Sequence, residues 1–119
     1  MKIMEALACG VPHELDAINV PNRGAIPNLP DDMVVEVPAS GDSDGLHPRR
    51  MDPLPEGIAA MIRLQGSIHK LLVEAFAEGS REKLIQAMLL DPTVDSYRRA
   101  VACVEEMIQL QADLLPRFE

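Results

Sequence analysis

The spacing of apolar residues changes once along the chain. From Ile58 onward, Met61, Gln65, Ile68, Leu72, Ala75 and Phe76 return every three or four positions, the period of a helix with one covered face. The pattern predicts a helix opening at Pro55, which suits a first helical position. Glu56 is then placed against the positive end of the helix dipole, and Gly79 is the C-terminal stop. Ser80 can cap a second helix with Leu84, Ile85, Met88 and Leu89 as its stripe, ending at Asp91-Pro92. A third helix, about Asp95 to Leu115, carries Val101, Val104, Ile108 and Leu115. Ahead of these, Lys2 to Cys9 reads as a short helix stopped by Gly10 and Pro12. Leu15 to Val20 and Met33 to Val37 read as a short antiparallel strand pair, and Ala39 to Pro53 as an irregular surface loop.

The expected fold is therefore α+β and mainly helical: one domain over residues 1–119, with an extended strand-loop part (1–54) and a helical part (55–119). Eight of the ten prolines lie between Pro12 and Pro55, which is why the front is extended and the back is not. Each helical stripe must be covered, and the front segment has few bulky apolar side chains with which to do it. Partners are implied, and self-association through the long helices is expected.

Composition narrows the function classes. With 11 Lys plus Arg against 19 Asp plus Glu, the formal charge of −8 repels phosphate backbones and anionic lipid, which disfavours nucleic acid and membrane partners. Phe76, Tyr97 and Phe118 are the whole aromatic complement, too few for a base-stacking platform or a free-standing sugar-stacking surface. The first apolar run, Ile3 to Val11, is broken by Glu5 and ends at Pro12, too short and polar for a secretory core or a membrane span. A cytoplasmic chain with Cys9 and Cys103 reduced is the expectation. The seven Met residues read mostly as core filler.

The most distinctive stretch is Asn22-Arg23-Gly24-Ala25-Ile26-Pro27-Asn28-Leu29-Pro30, followed by Asp31-Asp32-Met33 and Val34-Val35-Glu36-Val37-Pro38. Gly24 and three prolines fix the backbone, so it reads as a shaped loop feeding a strand. Together with Asn19-Val20-Pro21 it gives Asn-x-x-Asn-x-Gly-x-Ile-x-Asn-Leu-Pro, and the pattern resembles the NAD- and metal-dependent glycoside hydrolases of family 4. The likeness continues through Gly45, Pro48, Leu54-Pro55, Val73-Glu74-Ala75 and Ala87 to Pro92. The resemblance implies a C-terminal segment of an α-glucosidase-, α-galactosidase- or α-galacturonidase-like enzyme, folded like the C-terminal domain of the lactate dehydrogenase-like glycosidases. For the full-length family it implies NAD and a divalent metal such as manganese, with oxidation at C3 of the sugar and elimination of the leaving group. This departs from two-carboxylate hydrolysis.

Asn22, Arg23 and Asn28 are the candidate substrate-binding residues, since amide and guanidinium groups held by Pro and Gly can meet sugar hydroxyls or a carboxylate. The alternative is that both Asn side chains bond the loop's own backbone. His47 with Arg49 and Arg50 is a second, weaker candidate for an anion, against a plain solvated loop. Cys9 and His13 are four apart, but Gly10 and Pro12 break the helix that would align them, and they do not match the family's metal-binding Cys and His. His69 beside Ile68 and Leu72 reads as an interface or partly covered histidine. Glu105-Glu106 point about 100° apart on a helix, so they form no acid/base pair, and Asp31-Asp32 reads as a turn.

The chain has no Gly-x-Gly-x-x-Gly, no His-Glu-x-x-His and no Ser/His/Asp arrangement, so no catalytic, cofactor-binding or metal-binding residue is assigned in it. The expectation is a fragment of a glycosidase of carbohydrate metabolism, inactive alone and lacking its N-terminal nucleotide-binding domain. The alternative is a stand-alone helical protein-association module.

Overall fold

The computed structural model describes residues 2–119, which form four helices and a three-stranded antiparallel sheet. The elements run α1 (Lys2–Cys9), β1 (His13–Pro21), β2 (Val34–Asp42), β3 (Gly45–Pro48), α2 (Glu56–Glu78), α3 (Arg81–Leu90) and α4 (Tyr97–Leu110). The α+β class and the antiparallel β1–β2 pair are as the residue pattern indicates. The chain divides into two compact units, Met1–Ala60 and Met61–Glu119.

In the first unit the sheet order is β1-β2-β3. Much of the expected 39–53 loop is strand: β2 continues to Asp42 and turns through Asp44 into β3, with Ser40 facing His47 and Gly41 facing Leu46. Pro38 hid this, because a proline cannot donate to a ladder and argues against a central strand. It is accommodated by a bulge: Leu15 pairs with Ala39 and Ile18 with Val37, so Asp16 and Ala17 together oppose Pro38. Asp42 Oδ1 accepts from Asp44 N at 2.8 Å and closes the hairpin.

α1 ends where Gly10 takes a left-handed φ of 67° and its N–H reaches Ala6 O at 3.0 Å. Ala6, fully buried, lies over the sheet, and a Cβ on Gly41 would sit 3.3 Å from Ala6 Cβ and 3.2 Å from Leu46 Cδ2. Small residues at both positions let helix and sheet approach closely, with Ile18, Val35, Val37 and Ala39 forming the core below. Methionine has no place there. Met4 and Met61 are largely exposed and Met51 and Met107 partly so, which corrects their reading as core filler.

In the second unit, α2 closes with Gly79 at φ 65° and Ser80 N donating to Ala75 O at 2.9 Å. Ser80 and Ser96 cap α3 and α4 by accepting from Lys83 N and Arg99 N. α4 is shorter than the expected 95–115 span: it starts after its Ser96 cap, and Gln111–Leu115 form turns ahead of Pro116, which disfavours helix in the residue before it. Lys83 bridges Glu74 at 2.7 Å and Glu78 at 2.8 Å, tying α3 to α2, while Arg81 forks onto Glu105 of α4. The tail pairs with the α2–α3 corner through Glu119 N to Gly79 O at 2.8 Å and Arg81 N to Glu119 O at 3.1 Å. This seats Phe118 edge-on against Phe76, centroids 5.5 Å apart. Ile68, Ala75, Ile85, Ala87, Ala100 and Val104 are buried, beside an apolar cleft of about 500 Å³. Cys9 and Cys103 are both free and exposed.

Candidate functional site

The Asn22 loop, between β1 and β2, is built around one side chain. Asn22 is 1% exposed, and its Oδ1 accepts from Ile26 N at 2.7 Å. Its Nδ2 lies 3.0 Å from Ile26 O, 2.8 Å from Leu29 O and 3.2 Å from Pro30 O. An amide has two donor hydrogens and an acceptor oxygen, and both ends of Asn22 are engaged by this network. Backbone bonds from Asn22 N to Met33 O (2.7 Å) and Ala25 N to Asn22 O (2.6 Å) close the loop from both sides. Asn22 is thus a knot inside the loop, and its donors point away from solvent.

Asn28 does similar work at longer range. Its Nδ2 donates to Leu54 O at 2.8 Å and its Oδ1 accepts from Leu54 N at 3.0 Å, as a strand neighbour would. With Met51 N to Ala25 O and Arg49 N to Pro38 O, both 2.8 Å, this straps residues 49–54 along the loop. Leu54 is 26 residues from Asn28, and no local pattern in the chain signals the pairing.

Arg23 behaves differently. It is exposed, and its backbone is left-handed at φ 42°, a conformation costly for a residue with a Cβ. Gly24 follows at φ 81°, and Arg50 Nη2 lies 3.6 Å from where a Cβ on Gly24 would be. The strap therefore brings Arg50 to the same turn as Arg23.

The His47, Arg49 and Arg50 group is separated by the fold. His47 Nε2 bonds Asp42 Oδ1 at 2.9 Å, Arg49 pairs with Glu14 at 2.9 Å, and Arg50 faces Gly24. The bond to Asp42 holds the His47 ring above its ordinary pKa, and the same bond holds Asp42 below the usual carboxylate value. His69 is exposed rather than covered, bonded to Gln65 one turn earlier at 3.0 Å. Cys9 ends α1, and His13 opens β1 with Nε2 3.4 Å from Glu5.

A divalent metal needs several converging donors, and among the described residues no three His, Cys, Asp or Glu side chains meet. The described sheet is antiparallel throughout, without the parallel β-α-β unit that cradles a dinucleotide. The residues present therefore fit neither a metal nor NAD. With both Asn amides bonded to backbone, the exposed polar side chains at this turn are Arg23 and Arg50.

The model of the family 4 glycosyl hydrolase C-terminal domain matches residues 1–94. The chain belongs to this family. An alpha-glucosidase of Erwinia rhapontici is 40% identical over 111 residues, covering 93% of this chain and 24% of that protein. A 6-phospho-alpha-glucosidase from gut microorganisms, solved in complex with NAD and glucose-6-phosphate, superimposes with a TM-score of 0.88 at 32% identity, covering 99% of this chain and 26% of that one. A second 6-phospho-alpha-glucosidase structure, with NAD and Mn2+, gives 0.85 at 27% identity, covering 99% and 27%. This family 4 domain thus spans about a quarter of the length of the relatives it matches.

Proposed function

We propose that this family 4 domain serves an NAD- and divalent-metal-dependent glycosidase that hydrolyses O-glycosidic bonds by oxidation and elimination, and that it has no glycosidase activity alone. The observation that carries this is the family match combined with a donor set that fits neither cofactor. The cofactors, the oxidation and the proton transfers then belong to residues outside these 119, and this domain supplies a rigid loop to the sugar site.

Within that loop, Arg23 meets the substrate. Asn22 and Asn28, whose amides are engaged by Ile26, Leu29, Pro30 and Leu54, act by positioning it. The helical unit supplies association: Met61, Leu110 and Leu114 are each more than 70% exposed, surface that a partner subunit would cover. No described helix is long and apolar enough to cross a membrane, and a cytoplasmic enzyme of carbohydrate metabolism fits the proposal.

The test is an assay of the pure 119-residue chain with NAD, manganese and nitrophenyl glycosides, with and without a 6-phosphate. The expected result is no turnover; turnover would show that the chemistry lies inside the chain. Light scattering at tens of micromolar is expected to show self-association, and a clean monomer would count against the helical interface.

A further inference from the structure

One face of α2 carries the same chemistry whichever way the helix is read. At about 100° per residue, Met61, Ile62, Gln65, His69, Leu72 and Val73 fall within roughly 120° of one another, beside the arc that buries Ile68 and Ala75. Met61 is 73% exposed, Val73 69% and Leu72 38%, and Gln65 and His69 are exposed as well. All of them belong to the second unit. Counted outward from Ser67, the polar pair Gln65 and His69 stand two residues away on either side; apolar Ile62 and Leu72 stand five away, and Met61 and Val73 six. Arg63, Lys70 and Glu74 lie on the other side of the helix, so no carboxylate, lysine or arginine interrupts the face. A face of this kind fits a copy of itself turned by a two-fold axis, which is what an isologous contact requires; an unrelated partner would impose no such symmetry.

We infer that α2 pairs antiparallel with α2 of a second copy of this chain, about a two-fold axis level with Ser67. At each end Met61 and Ile62 of one copy cover Leu72 and Val73 of the other, which takes the most exposed apolar side chains of the helix out of water. At the centre Gln65 and His69, 3.0 Å apart within one chain, meet their symmetry mates, so polar atoms that the contact buries find polar partners. A register shifted by one turn would set Gln65 against Val73 or His69 against Met61 and strand those atoms, so the polar centre selects the register as a single polar position does in a coiled coil. Antiparallel alignment also opposes the two helix dipoles. This pairing rests on the association proposed for the helical unit and specifies its partner and register.

The test combines light scattering at tens of micromolar with disulfide trapping, in the 119-residue chain carrying Cys9→Ser and Cys103→Ser. A mixture of a Met61→Cys chain and a Leu72→Cys chain is expected to give an oxidised cross-link between the two. Neither chain alone should cross-link, because like positions lie about 18 Å apart for Met61 and about 15 Å apart for Leu72 along the helices, at about 1.5 Å per residue, beyond disulfide reach. Met61→Glu, a change at a position 73% exposed, is expected to weaken association about tenfold or more while the circular dichroism spectrum stays unchanged. A monomer at these concentrations would leave the face to another part of a longer enzyme, and would overturn both the pairing and the association proposed for the helical unit. Association without the mixed cross-link, cross-linking by either chain alone, or association indifferent to Met61→Glu would overturn the pairing and leave self-association standing.

Discussion

Asn28 grips Leu54 with both ends of its amide, donating at 2.8 Å and accepting at 3.0 Å across 26 residues of sequence. The pairing holds the β3–α2 connection along the Asn22 loop and so governs where Arg50 stands. Asn28→Ala leaves the Leu54 N–H and C=O without these partners, and the expected cost is about 1–3 kcal/mol in denaturant unfolding. Hydrogen exchange should show the Leu54 amide losing protection while the amides of β1 keep theirs.

Asn22 sets a harder limit. Three carbonyl oxygens surround its Nδ2, at 2.8–3.2 Å, so a carboxylate in its place would put negative charge against acceptors. Asn22→Ala is expected to cost about 3 kcal/mol or more, and Asn22→Asp to cost more than Ala at neutral pH. A chemical denaturation series of the two variants checks the order; an Asp variant as stable as the parent would refute the knot.

Gly79 is needed for two reasons. Its φ is +65°, and a Cβ there would lie 2.7 Å from Arg117 O, a backbone atom of the tail that pairs with the α2–α3 corner. Gly79→Ala should therefore cost about 1–3 kcal/mol and free the Phe118 ring from Phe76. Thermal unfolding and the Phe118 ring shifts measure the two effects.

His47 and Asp42 give the first unit a pH dependence whose sign follows from their shifts. His47 is raised above 6.5 by its bond to Asp42, so its contribution is whole below that pH and fades as pH rises through the folded value. Asp42 is lowered below 3.8 by the same bond, so its contribution is present above that pH and is lost as pH falls through the folded value. The pair stabilises the hairpin most between these limits. Both groups are exposed, so the effect on stability is small and the direct readout is NMR titration: Asp42→Asn should bring the His47 midpoint back toward 6.5.

How much of this was legible depends on how local each cause is. Pro55, Gly79 and Ser80 mark helix ends through their own local chemistry: α2 begins beside Pro55 and ends beside Gly79, and α3 begins after Ser80. Gly10 ends α1 in the same way. β3 was hidden because Gly45-Leu46-His47-Pro48 has no strand pattern of its own; it is a strand because β2 offers an edge and Asp42 turns the chain. The bulge opposite Pro38 is likewise visible only once β1 and β2 are paired. At the candidate site, the loop's rigidity was written in its Pro, Gly and Asn residues. The inward turn of Asn22, the grip of Asn28 on Leu54 and the meeting of Arg50 with Gly24 depend on distant partners.

We propose that this domain completes a glycosidase whose chemistry resides elsewhere. The direct measurement is hydrolysis of nitrophenyl α-glucoside 6-phosphate, with NAD and manganese, by a hybrid. In it, this chain replaces the matching quarter of the 6-phospho-alpha-glucosidase that it superimposes on. Turnover is expected from the hybrid and none from the 119-residue chain or the truncated enzyme alone. Turnover by the chain alone, or a folded, NAD-binding hybrid that hydrolyses nothing, would contradict it.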